Sequence, residues 1–409
     1  MSSSRGIDAD RVVADLRELA ARTSDEGGAQ RLAWTDRWLE GRAFLRELLT
    51  EIDVKAELDE AGNLWARLEG EDPDADALVV GSHTDSVPGG GWLDGALGVM
   101  AAVGILRAHG GEPPRPLVLV DWADEEGARF GLSLFGSSAF AETLDASAAA
   151  GLQDAEGRHM REVLAEHDLD IDAASRCGAR REGLGSYLEL HIEQGPVMET
   201  EGVAVAAVTG CQGIERRRFS FRGQAAHAGT TPMAMRRDAG LAAAGCATGI
   251  AALPADHGGV ATTGELRLEP GISTAVAGAA HLACDLRNPD AGDLAAMLAR
   301  AQTLARECSQ AQGCELSEEK IFSIAPTTFD RDLVAAAAKA AESETGASFE
   351  ITSGALHDAA SVSRVMPAAM MFCPSRGGIS HAKEEDTSEE DLRVAIECFG
   401  AFAQEVLTG

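Results

Sequence analysis

Five residues of the chain have side chains that commonly bind divalent metals, and they lie far apart in the sequence: His83, Asp94, Glu126, His191 and His381. Imidazole and carboxylate ligands of this kind suit zinc, and also manganese, cobalt or nickel. A carboxylate can bridge two ions through its two oxygens, and Asp94 is the candidate for that role. The set therefore predicts a site for two divalent metals and a hydrolytic reaction.

His83 and Asp85 are separated by one residue. Side chains at positions i and i+2 of an extended segment point to the same side, so Asp85 can accept a hydrogen bond from the imidazole nitrogen that does not bind the metal. A lone His-x-Asp pair is more often an accident of the surface. The glycine-rich run over residues 89–95 favours the functional interpretation, because it lets the backbone bring Asp94 back to the same point.

Three carboxylates follow one another at Asp124, Glu125 and Glu126, directly after an apolar run. In so acidic a chain, a solvated acidic turn is the ordinary alternative. Beside a metal site, Glu126 would bind the metal. Burial and the neighbouring charge would raise the pKa of Glu125, so that it could take a proton from water as a general base.

The two remaining histidines are ambiguous when each is taken alone. His191 closes an apolar run and could be an ordinary core histidine, and His381 follows a turn and could be an ordinary loop histidine. Candidate ligands occur in four separate segments, around His83, Glu126, His191 and His381. Four such coincidences are improbable, so we interpret these segments as parts of one site.

The elements that must position these residues alternate between short apolar runs and helical patterns, which predicts an α/β fold with a largely parallel or mixed sheet. Helices are predicted over residues 8–21 and 36–49, and strands over residues 77–81, 116–122, 187–192 and 368–373. Each strand leads into a candidate ligand or a loop that carries one, as is typical of open α/β sheets.

A chain of 409 residues is expected to form two domains. We predict a catalytic domain over residues 1–210 and 326–409, interrupted by an inserted domain over residues 211–325. The insert has a strand over 217–221, an alanine-rich helix, an alternating region over 264–286 and a helix over 293–312. This β-α-β-β-α order predicts a two-layer α+β domain.

The composition argues against several classes of partner. A formal net charge of -31 repels nucleic acid and anionic lipid. Eight cysteines without a paired short spacing predict reduced core thiols. We see neither a basic-then-apolar leader nor an apolar run near the ~20 residues that cross a bilayer, so a cytoplasmic protein without a membrane partner is expected.

The segments around these residues resemble the hydantoinase/carbamoylase amidases, together with two further segments, His227-Ala228-Gly229-Thr230-Thr231-Pro232-Met233 and Gly378-Ile379-Ser380-His381. That family includes N-carbamoyl-L-amino acid hydrolases, allantoate amidohydrolases and β-ureidopropionases, and it is related to the aminoacylase-like zinc peptidases. The resemblance spans nearly the whole chain. His191 with its Glu-Gln-Gly-Pro tail distinguishes this branch from the peptidases, which have a carboxylate ligand at that position.

The resemblance implies a zinc-peptidase-like catalytic domain that holds two ions, with an inserted dimerisation or lid domain. One ion would take His83, Asp94 and His191, and the other would take Asp94, Glu126 and His381, with Glu125 as general base. His227 would cross a homodimer interface to the oxyanion of the partner's substrate. Substrate-binding positions would be Gln194, Arg287, Thr274, Leu356 and Gly378, with Arg287 as a bidentate carboxylate clamp.

Two positions depart from the family pattern. Thr274 stands where the family usually has an asparagine, and Leu356 stands where it usually has a glycine. The metal chemistry is unaffected, but the identity of the substrate is left open. A threonine hydroxyl can replace one hydrogen bond of an amide but not two, and Leu356 adds bulk if it faces the pocket.

The expected reaction is hydrolysis of the carbamoyl C–N bond of an N-carbamoyl amino acid or a related ureido acid such as allantoate, giving the amino acid, ammonia and carbon dioxide. An N-acyl amino acid amidohydrolase or peptidase could use the same two-metal core. A non-catalytic protein that binds a carboxylated small molecule is the remote alternative. It would lack a ligand or the base, and the sequence lacks neither.

Overall fold

Each of the two units of the chain builds its own sheet in the computed structural model, which describes residues 6–111 and 113–409. The first unit comprises Met1–Gly210 and Thr328–Gly409, and the second comprises Cys211–Thr327.

The sheet of the first unit has nine strands. Its order from one edge is Thr327–Thr328, Ala206–Cys211, Ala368–Cys373, Leu184–Ile192, Ala77–His83, Leu117–Trp122, Leu64–Leu68 and Ala56–Leu58, with Glu350–Ser353 also paired to Ala206–Cys211. The four strands from Ala368–Cys373 to Leu117–Trp122 are parallel to one another, and antiparallel pairings flank them. The prediction of an α/β fold with a mixed sheet between helices is confirmed.

The parallel strands end at one edge of this sheet. His83 lies opposite Trp122 in the register, and His191 lies opposite Phe372. All four strands are almost wholly buried, as expected for parallel strands covered by helices on both faces. The loops after their carboxyl ends are therefore brought together, which is where an open α/β sheet binds ligands.

Helices surround this sheet. They span Ala9–Thr23, Asp36–Thr50, Ala96–His109, Phe135–Phe140, Ala146–Ala150, Met160–Glu166, Val197–Glu201, Arg331–Thr345, Asp358–Val362 and Glu389–Thr408, with 3₁₀ turns at Ile171–Arg181 and Arg376–Gly378 and a short ladder between Ser24–Asp25 and Gly28–Ala29. Local sequence explains their ends. Asp8 caps Ala9–Thr23 by accepting the N–H of Arg11, and Ser388 caps Glu389–Thr408 by accepting the N–H of Asp391.

The second unit is a four-stranded antiparallel sheet packed against helices. The strand order is Val260–Glu269, Ala279–Asn288, Gly213–Arg222 and Glu315–Ile324, and the helices are Ala239–Ala251, Pro254–His257 and Ala291–Ala311. A 3₁₀ turn at Met233–Met235 and a ladder between Ala226–His227 and Ala275–Val276 complete it. Alternate residues of Ala279–Asn288 are buried against the helices, which is the period-2 pattern of a sheet with one covered face.

Two expectations for this unit need correction. The strand Glu315–Ile324 was not predicted, because it is an edge strand whose charged residues are mostly exposed and give no apolar alternation. The segment Ala239–His257 is also long and apolar enough to cross a membrane by length and composition alone, contrary to the sequence expectation. Core helices pass the same test, and Ala242, Cys246 and Ile250 of this segment pack in the core of the unit.

Candidate metal centre

One oxygen of Asp94 faces two histidines near the carboxyl ends of neighbouring strands. Oδ1 lies 3.2 Å from Nε2 of His191 and 4.0 Å from Nε2 of His83. All three side chains are buried, and one ligand atom from each lies within 4.8 Å of the others. Zinc ligands stand about 2 Å from the ion, so these atoms are close enough to share one.

The other oxygen of Asp94 faces a second group. Oδ2 lies 3.3 Å from Nε2 of His381, and the same nitrogen lies 3.4 Å from Oε2 of Glu126. These three residues also have ligand atoms within 4.8 Å of one another. Asp94 thus belongs to both groups and offers a different oxygen to each, which is the arrangement that a bridging carboxylate requires.

The hydrogen bonds of the two buried histidines leave the correct ring nitrogen for a metal. Nδ1 of His191 lies 2.9 Å from the carbonyl oxygen of Ile192, and Nδ1 of His83 lies 3.2 Å from that of Asp85. A carbonyl only accepts, so Nδ1 carries the proton in each hydrogen bond and Nε2 of the neutral ring presents a lone pair. Nε2 of His191 accepts the backbone N–H of Gly95 at 3.2 Å. A metal ion between these nitrogens and the Asp94 carboxylate would use lone pairs from both.

Asp85 lies beside His83, but the hydrogen bond that was predicted between the His83 ring and the Asp85 carboxylate is made to the Asp85 carbonyl oxygen instead. Oδ1 stands 3.6 Å from Nδ1 of His83, which is farther than the Asp85 carbonyl oxygen. The carboxylate accepts the backbone N–H groups of Glu125 at 3.2 Å and of Glu126 at 3.1 Å. Asp85 therefore fixes the turn that presents both glutamates as well as the histidine.

Glu125 lies beside the metal-ligand candidates without belonging to either group. Its Oε2 stands 3.7 Å from Nε2 of His83, and the side chain is almost fully buried. Burial raises the pKa of Glu125 well above its usual value, and the charges of Asp358 and Glu126 add to the effect while His83 opposes it. A carboxylate held in this way takes up a proton more readily than one in water.

The carboxylates and imidazoles of the site shift one another's pKa values. Burial, together with the charge of Asp94, raises the pKa of Glu126 to about 7. Although burial alone would lower it, the pKa of the His83 imidazole is raised well above its usual value by Glu125 and Asp85. The hydrogen bond to Asp94 raises the pKa of His381 to about 9. Carboxylates this close repel one another unless cations neutralise them, and divalent ions would do so.

Gly95 gives a test of how tightly this site is packed. A Cβ at residue 95 would overlap the His83 ring, and the backbone there has a φ of +63°. Gly131 has a similar φ of +75° but open space around it. We expect Gly95→Ala to displace His83 and to lower the metal content measured after dialysis, while Gly131→Ala carries only the backbone penalty of about 1–3 kcal/mol. Equal metal content in the two variants would contradict this packing.

Three predicted substrate-binding positions belong to the first unit. The amide nitrogen of Gln194 donates to Oδ2 of Asp94 at 3.0 Å and lies 3.3 Å from Nε2 of His381. Gly378 lies so close to the loop that contains Pro196 that a Cβ added at residue 378 would stand 2.9 Å from Pro196. Leu356 is half-buried in the segment before the helix Asp358–Val362. The structure thus brings Gln194 into the metal-ligand cluster.

The other predicted positions lie in the second unit. His227 is exposed, and its Nδ1 accepts the N–H groups of Gly229 at 3.0 Å and Thr230 at 3.2 Å. The exposed Thr274 is adjacent, since its carbonyl oxygen accepts the N–H of Ala228 at 2.9 Å. Arg287 donates from Nε to Oδ1 of Asp285 at 2.8 Å. His227 and Thr274 therefore lie close together at one end of the ladder between Ala226–His227 and Ala275–Val276.

Several buried polar residues around the site were not singled out by the sequence. Glu385 accepts the backbone N–H of Asp94 at 3.0 Å, and burial raises its pKa to about 7. The ring of His357 lies 4.4 Å from that of His191, centroid to centroid, and Asp358 and Glu189 are buried behind them. Of these residues, only His357 and Asp358 could have been recognised as site candidates from the sequence, because they form an adjacent His-Asp pair. Glu385 sits in an acidic run that is typical of solvated surface.

The chain is similar to known hydrolases over almost its entire length. Residues 79–405 match the model of peptidase family M20/M25/M40. An N-carbamoyl-L-amino-acid amidohydrolase of Rhizobium meliloti is 34% identical, covering 94% of this chain and 93% of the relative. An allantoate amidohydrolase of Bacillus subtilis is 30% identical over 91% of each chain. A crystal structure of an amidase of the hydantoinase/carbamoylase family from Burkholderia multivorans superposes with a TM-score of 0.87, at 32% identity over 98% of each chain.

Proposed function

Since the chain belongs to peptidase family M20/M25/M40, and within it to the hydantoinase/carbamoylase amidases, we propose that it hydrolyses the carbamoyl C–N bond of N-carbamoyl amino acids or related ureido acids. The products would be the amino acid, ammonia and carbon dioxide. The observation that carries the proposal is the position of Asp94, which offers one oxygen to His83 and His191 and the other to His381 beside Glu126.

We propose that two divalent ions occupy these groups, zinc or alternatively manganese, cobalt or nickel. The first would be held by His83, Asp94 and His191, and the second by Asp94, Glu126 and His381. When bound, such ions would polarise a carbonyl oxygen and lower the pKa of a water molecule. The excess of buried carboxylates and the Nε2 lone pairs support this assignment.

Glu125 would act as the base and then as the acid. Its carboxylate takes a proton from the attacking water as the water adds to the ureido carbonyl, and it later gives that proton to the leaving nitrogen. Burial supports this role because it raises the pKa of Glu125 well above its usual value, which favours uptake of a proton. Asp85 would keep Glu125 in place through the backbone hydrogen bond at 3.2 Å.

The oxyanion would be stabilised by His227 of a partner subunit in a homodimer. Nδ1 of His227 accepts two backbone N–H groups, so the proton of the neutral ring is on Nε2. An exposed Nε2–H is a suitable donor to the developing negative charge on the substrate oxygen. The second unit would then serve as a dimerisation and lid domain.

We also propose a cytoplasmic location. Six of the eight cysteines are buried, which is consistent with core thiols in a reducing compartment.

The substrate carboxylate would be bound by Arg287, with Gln194, Gly378, Thr274 and Leu356 forming the remainder of the pocket. Arg287 is preorganised by Asp285, which leaves its planar guanidinium in one orientation. We expect Arg287→Lys to raise KM for carboxylate substrates about tenfold, since a point charge replaces a bidentate clamp worth at least ~1.4 kcal/mol. The kcat should change little, and an unchanged KM would remove Arg287 from the pocket.

A substrate panel tests the proposed reaction. The purified protein, loaded in turn with Zn²⁺, Mn²⁺, Co²⁺ and Ni²⁺, is assayed against N-carbamoyl α- and β-amino acids, allantoate and N-acetyl amino acids. Ammonia release from a ureido compound supports the proposal. Turnover of the N-acetyl compounds alone would favour the second candidate, an N-acyl amino acid amidohydrolase or peptidase with the same core. No turnover of any compound with two ions bound would favour a non-catalytic binding protein.

A further inference from the structure

The carboxylate of Glu385 connects the loop that carries Asp94 to the loop that carries His381. Oε1 accepts the backbone N–H of Leu93 at 3.2 Å and that of Asp94 at 3.0 Å. Oε2 lies 2.9 Å from Oγ of Ser380, the residue before His381. The side chain is only 2% exposed, so water does not compete for these hydrogen bonds.

Ser380 also links Glu385 to the carboxylate of Asp94, which is one of the metal-ligand candidates. Oγ of Ser380 lies 3.3 Å from Oδ2 of Asp94 as well as 2.9 Å from Oε2 of Glu385. Glu385 therefore contacts Asp94 twice, directly through the backbone N–H and indirectly through the Ser380 hydroxyl. The approach at Gly91 is close as well, because a Cβ at that residue would overlap the carboxylate of Glu385. A glycine at residue 91 is what allows Glu385 to reach the Asp94 loop.

The orientation of Asp94 decides which oxygen each histidine meets. Oδ1 must face His191 while Oδ2 faces His381, and a rotation of the carboxylate or a shift of its backbone would lose both contacts. The two loops are almost 300 residues apart in the chain, so no local turn fixes their separation. Glu385 accepts hydrogen bonds from the Asp94 loop, at Leu93 and Asp94, and from the His381 loop, at Ser380.

We propose that Glu385 is a positioning residue that sets the distance between Asp94 and His381 and so allows two ions to bind side by side. It does not ligate an ion itself. The inference rests on the proposed two-metal site and names a residue on which that site depends. Groups that orient the ligands of a metal site commonly affect metal affinity by about 10- to 100-fold.

Zn²⁺ binding to the metal-free full-length protein tests the proposal without an activity assay. Competition with a chromophoric chelator resolves the affinities of the two ions. In Glu385→Ala, we expect the affinity for at least one Zn²⁺ to fall about 10- to 100-fold. Glu384→Ala is the matched control, because the neighbouring residue has the same charge, is exposed and makes no hydrogen bond among those described. It should bind both ions as the unmodified protein does.

Glu385→Gln separates positioning from charge. The amide oxygen can still accept the two backbone N–H groups, and the amide nitrogen can donate to Ser380, whose hydroxyl then donates to Asp94. We therefore expect Glu385→Gln to restore nearly unmodified affinity although the negative charge is gone. A loss in Glu385→Gln as large as in Glu385→Ala would overturn the positioning role, and so would unchanged affinities in Glu385→Ala.

Two further results keep the test decisive. If Glu385→Ala is recovered only as aggregate, Ser380→Ala replaces it, since this change removes only the hydroxyl between the two carboxylates. A lower Zn²⁺ affinity in Ser380→Ala would support the proposal, and an unchanged affinity would overturn it. Unmodified protein that binds fewer than two Zn²⁺ ions would overturn the two-metal site itself. Two ions bound equally by the unmodified protein and Glu385→Ala would overturn only the role of Glu385.

Discussion

Glu125→Gln is expected to keep both metal ions and to lose turnover by about 10²- to 10⁴-fold, the usual contribution of a general base. Glutamine has nearly the same shape, so the packing around the buried side chain is retained. Its amide cannot take a proton from water or return one to the leaving nitrogen. The loss should appear mainly in kcat, because Glu125 is not among the residues proposed to bind the substrate.

Glu126→Gln is the matched comparison, since the two glutamates are adjacent and the change is the same. Oε2 of Glu126 lies 3.4 Å from Nε2 of His381, whereas Oε2 of Glu125 faces His83 from outside either ligand group. Glu126→Gln should therefore release one ion, while Glu125→Gln should release none. Metal content by mass spectrometry and ammonia release measure the two effects separately. Full activity in Glu125→Gln would remove that residue from its role.

The location of this site could be predicted from the sequence because its residues follow strands. Buried parallel strands are apolar runs that are easily recognised, and their carboxyl ends share one edge of the sheet. His83 is the last residue of such a strand, His191 is the last but one of another, and Glu126 lies four residues after the end of a third. The sequence therefore predicted the grouping of these residues, although their roles as ligands and base are still predictions.

Closeness in space was the critical expectation. A separation of more than ~10 Å between Asp94 and Glu126 would have contradicted a shared site, because zinc ligands stand only about 2 Å from the ion. In the structure, ligand atoms of Asp94, Glu126 and His381 lie within 4.8 Å of one another. The α/β fold, the family and the hydrolase class are likewise confirmed.

The features that escaped prediction are those with no periodic or compositional signal. Glu385 is buried although it lies between Glu384 and Asp386, and only the fold shows that its carboxylate turns inward. The edge strand Glu315–Ile324 is rich in charged residues because one side of it has no neighbour. In both cases tertiary context, and not local sequence, decides whether a charged residue meets water.

Asp94→Ala is expected to release both metal ions, whereas His381→Ala should release only the ion that it shares with Glu126. The reason is geometric, since Oδ1 of Asp94 faces His191 and Oδ2 faces His381. Removing one side chain thus takes a ligand from each group. Activity should fall by about 10³-fold or more, because several kcal/mol of transition-state stabilisation depend on the ions.

The stoichiometry of bound metal distinguishes this expectation from a site with one ion. After dialysis, we expect two ions per subunit in the unmodified protein, one in His381→Ala and fewer than one in Asp94→Ala. Circular dichroism of each variant checks for loss of fold, because Asp94 pairs with His191 and His381 and its removal leaves these imidazoles without that partner. One tightly held ion in Asp94→Ala would show that Asp94 serves a single group. The water would then have to be activated by one ion and Glu125.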